Sequence, residues 1–582
     1  MPNWIKSPKF ALLCVLLGAI FLRLWRLDLL PPSMYWEEVA LGYDAYSISQ
    51  TGLDHHGNRL PIVAFESFGD WKPALYFYTI VPFIRLLGLN IWAVRLPSVL
   101  AGISTVLGVG YLTKWILLKL NKAKDKRFNF EIDWMVVLGS GVATFSPWLI
   151  QFARGGWESN LATAFLLWGA LFLLKPGKFK WQALGVLLLT LSMYTYHAAR
   201  VIAPGLLLLI LGLKYFWQIN TSQNILIVMK NIIGRVGRLK KSLFLVGLLL
   251  CLSLPFFLPG ASSKVGHRFA ETSIFGNLEP IIESNLRQER AGHTLLSRVV
   301  FHRYRYLGKQ VIANFLTHFS PDYLFLSGDL NPRHNPGIGG VILPINAIFL
   351  AWGIFVIVSK NKKLAVFLSA WICLCILPAA TSSAVPHALR TLASAPVWLA
   401  VISVGWWYAV AWLKQLKTSN ILKGAICLVV LGSYFLFFSR YFLFYIEVYP
   451  KLSSQNWQYG YEQMIQAVNN LEKDNPGLPV YISRKQGRPA MYYWFFTKSD
   501  PRSVQILEEK VIKDQGEYLE YENKFFFDKT DLLPTSQAII AITQEEYLYM
   551  NESSSSLLAN NNDILQVNNL ENQPIWYVLR LK

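Results

Sequence analysis

FALLCVLLGAIFLRLWRLDLLPPSMYWEEVALGYDAYS, residues 10–47, joins a long apolar run to two adjacent carboxylates, Glu37 and Glu38. A helix needs about 20 mostly apolar residues to cross a bilayer, and the run from Phe10 to Leu30 supplies them. The acids follow directly, bracketed by Tyr35, Trp36 and Tyr43. Carboxylates are costly to keep beside lipid, and those retained there usually bind or react with something.

The rest of the chain repeats the apolar theme. Of 582 residues, 53% are hydrophobic and only 15% charged, against about 25% charged in soluble domains. The 14% aromatic share, with 21 Trp and 27 Tyr, suits a protein with many membrane interfaces, where these rings anchor. A net charge of +20 in such a chain reflects loops facing anionic lipid; no basic soluble domain points to nucleic acid. The five cysteines, Cys14, Cys251, Cys373, Cys375 and Cys427, all lie in apolar runs and read as small hydrophobes. Lys6 and Lys9 ahead of the first run resemble a signal peptide, but no small-residue cleavage site closes it, so it reads as a retained helix.

Apolar runs recur near residues 10–28, 92–118, 133–150, 158–174, 182–197, 201–217, 242–260, 338–359, 364–380, 390–413 and 424–446, giving about eleven spans. Lys and Arg cluster at 119–127, 175–180, 230–241, 360–363 and 414–423. With a cytoplasmic N-terminus, all five clusters fall on the cytoplasmic side, as the positive-inside rule asks. The segment 73–89 is interrupted by Pro82 and Arg85 and reads as an interfacial or re-entrant helix. The expected architecture is therefore a polytopic α-helical protein of the cell membrane. Residues 1–446 form its transmembrane domain, with external loops 29–91 and 261–337, and residues 447–582 form a small soluble extracytoplasmic α/β domain. In that tail 459–472 has helical spacing, 477–484, 538–543 and 574–581 read as strands, 488–497 as helix or strand, and 551–563 as a polar loop. The external loop 261–337 is basic, with Arg287, Arg290, Arg298, Arg303, Arg305 and Lys309, which asks for lipid headgroups or a phosphorylated substrate.

Nearly every unusual polar motif falls in these outer segments. Besides Glu37 and Glu38, followed by Asp44 and the pair His55–His56, they hold Asp70 and Lys72 in FGDWKPALY and Arg154 and Glu158 in SPWLIQFARGGWESN. MYTYHAAR adds Tyr196, His197 and Arg200. HFSPDYLFLSGDLNPRHNPGIGG adds His318, Asp322, Asp329, Arg333 and His334, and VPHALR adds His387 and Arg390. Transfer from a lipid-linked phosphate needs such a set. A carboxylate orients or deprotonates the acceptor hydroxyl, and cations hold the phosphate as charge builds on it. Lys72, Arg154, Arg200, Arg333 and Arg390 are the candidate cations, arginine being suited to forked phosphate contacts. Carboxylates beside histidines can also hold a divalent metal, although no spacing here is diagnostic, so the cofactor is unknown.

Taken together, WEEVALGYDAYS, GDWKPALYFY, GLNIWAVRLPSVLAG, SPWLIQFARGGWESN and YTYHAAR resemble polyprenyl-phosphate-dependent glycosyltransferases of the GT-C fold. These include protein O-mannosyltransferases and lipid A aminoarabinose transferases, and the closer likeness is to the bacterial family 39-like branch. The resemblance covers roughly residues 8–215 and continues more loosely through SPDYLFLSGD and PHALR. It implies a membrane glycosyltransferase using a polyprenyl-phosphate sugar donor and a lipid, glycan or protein acceptor. It also implies Glu37 as the catalytic base, Glu38 in support, Lys72 near the donor phosphate, and Arg154 and Glu158 in the site. The family usually carries Asp-Glu where this chain has Glu37–Glu38. Two other readings stay open: a flippase for lipid-linked saccharides, and a polymerase or ligase using a diphosphate-linked donor. The first would place charge near the bilayer midplane in broken helices; here the spans are nearly free of acids.

Overall fold

Asn420–Glu447 is a 28-residue helix whose most apolar 18-residue stretch has mean hydropathy 2.1, and none of that stretch is buried within the protein. Such a helix, apolar and uncovered, has lipid as its solvent. The computed structural model describes residues 7–121, 128–216, 225–261, 273–507, 513–514, 516–528, 537–553 and 564–581. Among them, four more helices are long and apolar enough to span: Ile91–Leu120, Leu239–Phe257, Lys362–Ala380 and Ala388–Gln415. A further span arises if Trp134–Thr144 and Pro147–Ala153, bent by 69°, are counted as one. The chain is an integral membrane protein.

About eleven spans were expected, and the difference has local causes. Leu75–Leu87, Glu158–Leu174, Phe179–Met193 and Asn346–Lys360 are apolar helices of only 10–17 residues. In the run 338–359 the helix begins only at Asn346, because Gly339 takes positive φ and Pro344 follows. Lys122, Lys124, Lys126 and Arg127 of the first basic cluster, and residues 554–563 of the polar loop, lie outside the described residues.

The chain divides into two compact units. One comprises Met1–Trp25, Ser98–Ala153 and Trp157–Phe442. It is helical, and its helices approach closely where small residues meet. Gly353 in Asn346–Lys360 and Gly405 in Ala395–Gln415 face each other's helices. A Cβ on Gly353 would run into the Val401 carbonyl, and one on Gly405 into the Phe349 carbonyl. Backbone cannot rotate aside as a side chain can, so this is a small-residue crossing. Gly405→Ala is expected to lower stability by about 1–3 kcal/mol, read as a lower melting temperature in detergent. An unchanged melt would contradict so close a crossing.

The other unit comprises Arg26–Pro97, Arg154–Gly156 and Leu443–Lys582. Its six-stranded sheet runs, edge to edge, Glu520–Tyr521, Lys524–Phe527, Val480–Ser483, Ala538–Thr543, Pro574–Leu581 and Ile564–Asn568. Val480–Ser483 pairs in parallel with both neighbours, and the remaining pairings are antiparallel. AIIAIT, 538–543, is buried at every position, as a central strand covered on both faces requires. Segment 488–497, expected as helix or strand, is the helix Pro489–Thr497, with proline in its first turn and Pro489–Phe495 all buried.

That helix packs on Trp36–Thr51, the helix carrying the two acids. Gly42 leaves room for Phe495 and Val94, which a Cβ would meet at 2.6 and 2.7 Å. Tyr43 Oη donates to the Ser499 carbonyl (3.0 Å), and Tyr492 Oη to the Met34 carbonyl (2.9 Å). Gln505 Nε2 donates to Ser47 Oγ, Thr51 Oγ1 and the Asp54 carbonyl. Residues from the C-terminal segment thus build one wall of the carboxylate helix.

Candidate functional site

Glu37 and Glu38 occupy the first turn of Trp36–Thr51, where negative charge is favoured by the helix dipole. Neighbours on a helix point about 100° apart, and here they diverge in fate. Glu38 is fully buried and is held on both oxygens. Arg95 Nε donates to Oε1 (2.9 Å) and Nη2 to Oε2 (3.1 Å), while the Gly156 N–H donates to Oε1 (2.6 Å). The same guanidinium also gathers the segment 27–33, donating to the carbonyls of Leu27 (2.8 Å), Pro31 (3.2 Å) and Ser33. It also lies 5.8 Å from the Trp457 ring. Glu38 is a tie between segments, its acceptors occupied.

Glu37 keeps a quarter of its side chain exposed. Its Oε2 accepts from Tyr35 Oη (2.9 Å) and lies 3.1 Å from Lys72 Nζ. Lys72 stands on the hairpin Ala64–Ser67/Asp70–Pro73, opposite Phe65. Its turn, Phe68–Gly69, has positive φ at both residues (57° and 77°), the twist that a tight hairpin prefers. The hairpin carries the ammonium into a buried position, 2% exposed. Among the described residues Glu37 is the one ion-pair partner of Lys72 Nζ, and no hydrogen bond of good geometry accompanies it. A lysine carries three N–H donors, so this buried cation has capacity for a further anion.

Other charged groups of the same unit are paired as well. Arg488 Nη1 lies 2.8 Å from Glu517 Oε1, and its guanidinium stacks 4.5 Å from the Phe68 ring. Burial pulls its pKa down, opposed by Glu517 and more weakly by the charge of Glu37. Asp44 and His55 form a buried pair, Oδ1 to Nδ1 2.6 Å, on the same helix and the loop beyond it. Burial, reinforced by the Asp44 charge, raises the pKa of nearby Asp54.

Arg154, expected among the phosphate-binding cations, directs Nε (3.2 Å) and Nη2 (3.0 Å) to the Leu30 carbonyl. Nη2 also reaches the Arg26 carbonyl at 3.2 Å. Its two-glycine sequel has a reason, since a Cβ at Gly156 would press on Glu38 Cγ at 3.2 Å. Asp70 accepts from the Trp71 N–H at the hairpin turn.

The other expected residues belong to the helical unit. Arg200 Nη1 lies 3.0 Å from His197 Nδ1, and its guanidinium 4.9 Å from the Phe256 ring. Tyr196 and Arg390 line a small cavity with Ser159 and Thr163, and Arg390 also hydrogen-bonds Ser382 Oγ. Glu158 opens the helix Glu158–Leu174. Asp322 is exposed and accepts from Ser327 Oγ. The backbone of Arg333 is fixed by Gln151 Nε2, which donates to its carbonyl, and by Asn331 Oδ1, which accepts from its N–H. Asp329, His334 and His387 come together, buried, with ligand atoms within 4.8 Å of one another. His318 Nε2 accepts from the His387 N–H (3.1 Å), and burial lowers its pKa.

Reading the sequence passed over Arg95, although it stands in a quoted motif, GLNIWAVRLPSVLAG. The signal was there: an arginine inside an apolar run needs a partner, since charge is expensive at that depth. Arg488 and Glu517 were passed over as well, and nothing local marks them.

No protein-family model and no curated protein matches the chain. Among solved structures it is similar to ArnT from Cupriavidus metallidurans bound to undecaprenyl phosphate, at 13% identity and TM-score 0.49, covering 99% of this chain and 98% of that one. The apo state of the same protein gives 13% and 0.46 with the same coverage. An Archaeoglobus fulgidus oligosaccharyltransferase in complex with zinc and sulfate gives 9% and 0.44, covering 97% of this chain and 72% of that one. At such identities and TM-scores the likeness is one of chain path, and function has to be argued from the side chains.

Proposed function

We propose that the protein is a membrane glycosyltransferase. It moves a sugar from a polyprenyl-phosphate donor to an acceptor hydroxyl on the extracytoplasmic face, with the N-terminus cytoplasmic. Glu37 receives or orients the acceptor hydroxyl, Lys72 holds the donor phosphate, and Glu38 fixes the start of the helix through Arg95. The observation that carries this reading is the contrast between the two acids. Glu38 has its oxygens occupied by Arg95 and Gly156, whereas Glu37 is partly open and faces a buried lysine with donors to spare.

The chemistry follows from that pair. In the resting protein the Lys72 ammonium is paired with the Glu37 carboxylate. A phosphate arriving at Lys72 competes for the same ammonium and frees the carboxylate to act on the acceptor. As the sugar leaves, negative charge builds on the departing phosphate, and a cation already in place stabilises it without reorganising. Phosphate is a good leaving group, so no second carboxylate is needed as general acid. A single displacement gives inversion at the anomeric carbon, by analogy with the fold. The sequence motifs support the same substrate class.

The test is sugar transfer from a labelled polyprenyl-phosphate sugar, with membranes supplying acceptor. Lys72→Ala is expected to raise the apparent KM for the donor and lower the rate, together by about 10- to 100-fold, the loss of one charge-assisted contact. A Lys72→Ala protein that turns over donor like the wild type would remove the phosphate role. Accumulation of a diphosphate-linked oligosaccharide in a deletion strain would favour the ligase reading instead.

A further inference from the structure

The reaction proposed above leaves unused a second cluster of ionisable side chains, which belongs to the helical unit. Asp329 and His334 lie on the loop after the turn Asp322–Leu326, and His387 immediately precedes the short helix Ala388–Thr391. All three are buried. His334 Nδ1 is 2.9 Å and His387 Nδ1 3.9 Å from one oxygen, Asp329 Oδ2, and the two imidazole rings are 4.8 Å apart. From the geometry of this cluster we propose that Asp329, His334 and His387 bind a zinc ion, joining the loop 327–340 to the segment 386–388.

The fit can be tested on distances. In a tetrahedral site with bonds of about 2.0–2.1 Å, neighbouring ligand atoms stand about 3.3–3.4 Å apart. The two measured separations, 2.9 and 3.9 Å, bracket that edge, and all three ligand atoms lie within 4.8 Å of one another. Charge points the same way. The carboxylate accepts from the Asn331 N–H (Oδ1, 2.8 Å) and the Ala388 N–H (Oδ2, 2.6 Å), which fix its orientation toward the two imidazoles. Among the described residues, the groups able to carry positive charge within ion-pair distance of it are these two histidines. A dication supplies the missing charge and engages both imidazoles.

The competing arrangement is a hydrogen-bonded pin, in which His334 Nδ1–H donates to Asp329 and His387 Nδ1 caps its helix through the Arg390 N–H (3.4 Å). The cap is long and the second imidazole stands too far for a hydrogen bond to the carboxylate. Two nitrogens and one oxygen suit zinc, whereas magnesium and calcium prefer oxygen alone. The outer shell is apolar on one side, where Trp157 and Phe152 pack at 5.6 and 5.9 Å from the His334 ring. It is fixed on the other, where His318 holds the His387 backbone.

The test uses the full chain in detergent, stripped with chelator, incubated with zinc chloride and desalted. About one zinc per chain is expected by mass spectrometry, and cobalt substituted for zinc is expected to show the visible absorption of a tetrahedral site. His334→Gln and Asp329→Asn are each expected to weaken zinc binding by more than about 10-fold and to abolish the cobalt spectrum. Gel filtration and melting of the metal-free proteins separate loss of a ligand from loss of fold. Wild-type protein that emerges without zinc, or variants that fold and bind zinc as the wild type does, would overturn the site. Neither result bears on Glu37 and Lys72, so failure here is distinct from failure of the transferase reading.

Discussion

Glu37→Gln is expected to reduce sugar transfer by about 10²–10⁴-fold, the usual contribution of a positioned acid or base. The amide keeps the size of the side chain and can still accept from Tyr35 Oη, but it takes up no proton and offers no charge to the acceptor. Because Lys72 would lose its counter-ion while 2% exposed, the variant should also be melted in detergent. A folded Glu37→Gln protein with wild-type turnover would end the proposed mechanism. Glu37→Asp is the informative partner. The shorter acid keeps the charge and the ability to take up a proton, so it should retain part of the activity if the function is chemical. A role in holding Lys72 alone would show as a melting loss in Glu37→Gln that the still-charged Glu37→Asp largely avoids, with little loss of rate in either folded variant.

How much of this site could be read in advance depended on distance along the chain. Glu37, Glu38 and Lys72 fall within one expected outer loop, 29–91, so their grouping was legible. Their division of labour was not. It is set by Arg95, placed 57 residues beyond Glu38, and by a backbone N–H 118 residues away, and no periodicity encodes such meetings. The strands at 480–483, 538–543 and 574–581 were legible because apolar runs bounded by turn residues are a local signal. That the helix Pro489–Thr497 would lie against the carboxylate helix was not, since Tyr492 and Met34 are 458 residues apart. Arg154 carries a use that its residue type did not announce, donating to the Leu30 and Arg26 carbonyls. The span count of about eleven followed from apolar length alone, and several of those runs form helices of only 10–17 residues, one of them starting late because of Gly339 and Pro344.

Arg95→Met is expected to be the most destabilising single change, at about 3–5 kcal/mol, the cost of leaving a buried carboxylate without its partner. Glu38 is wholly buried, so water cannot replace the guanidinium. The same change releases the carbonyls of Leu27, Pro31 and Ser33, each of which adds to the loss. The paired substitution Glu38→Leu with Arg95→Met removes the uncompensated charge and should recover part of the stability. It should not recover all, because those three carbonyls stay unsatisfied. A double-mutant cycle read by thermal unfolding in detergent therefore predicts strong non-additivity, with the double variant more stable than Arg95→Met alone. Simple addition of the two single losses would mean that Glu38 and Arg95 act independently. The role of Glu38 as a structural tie, and with it the assignment of the chemistry to Glu37, would then have to be abandoned.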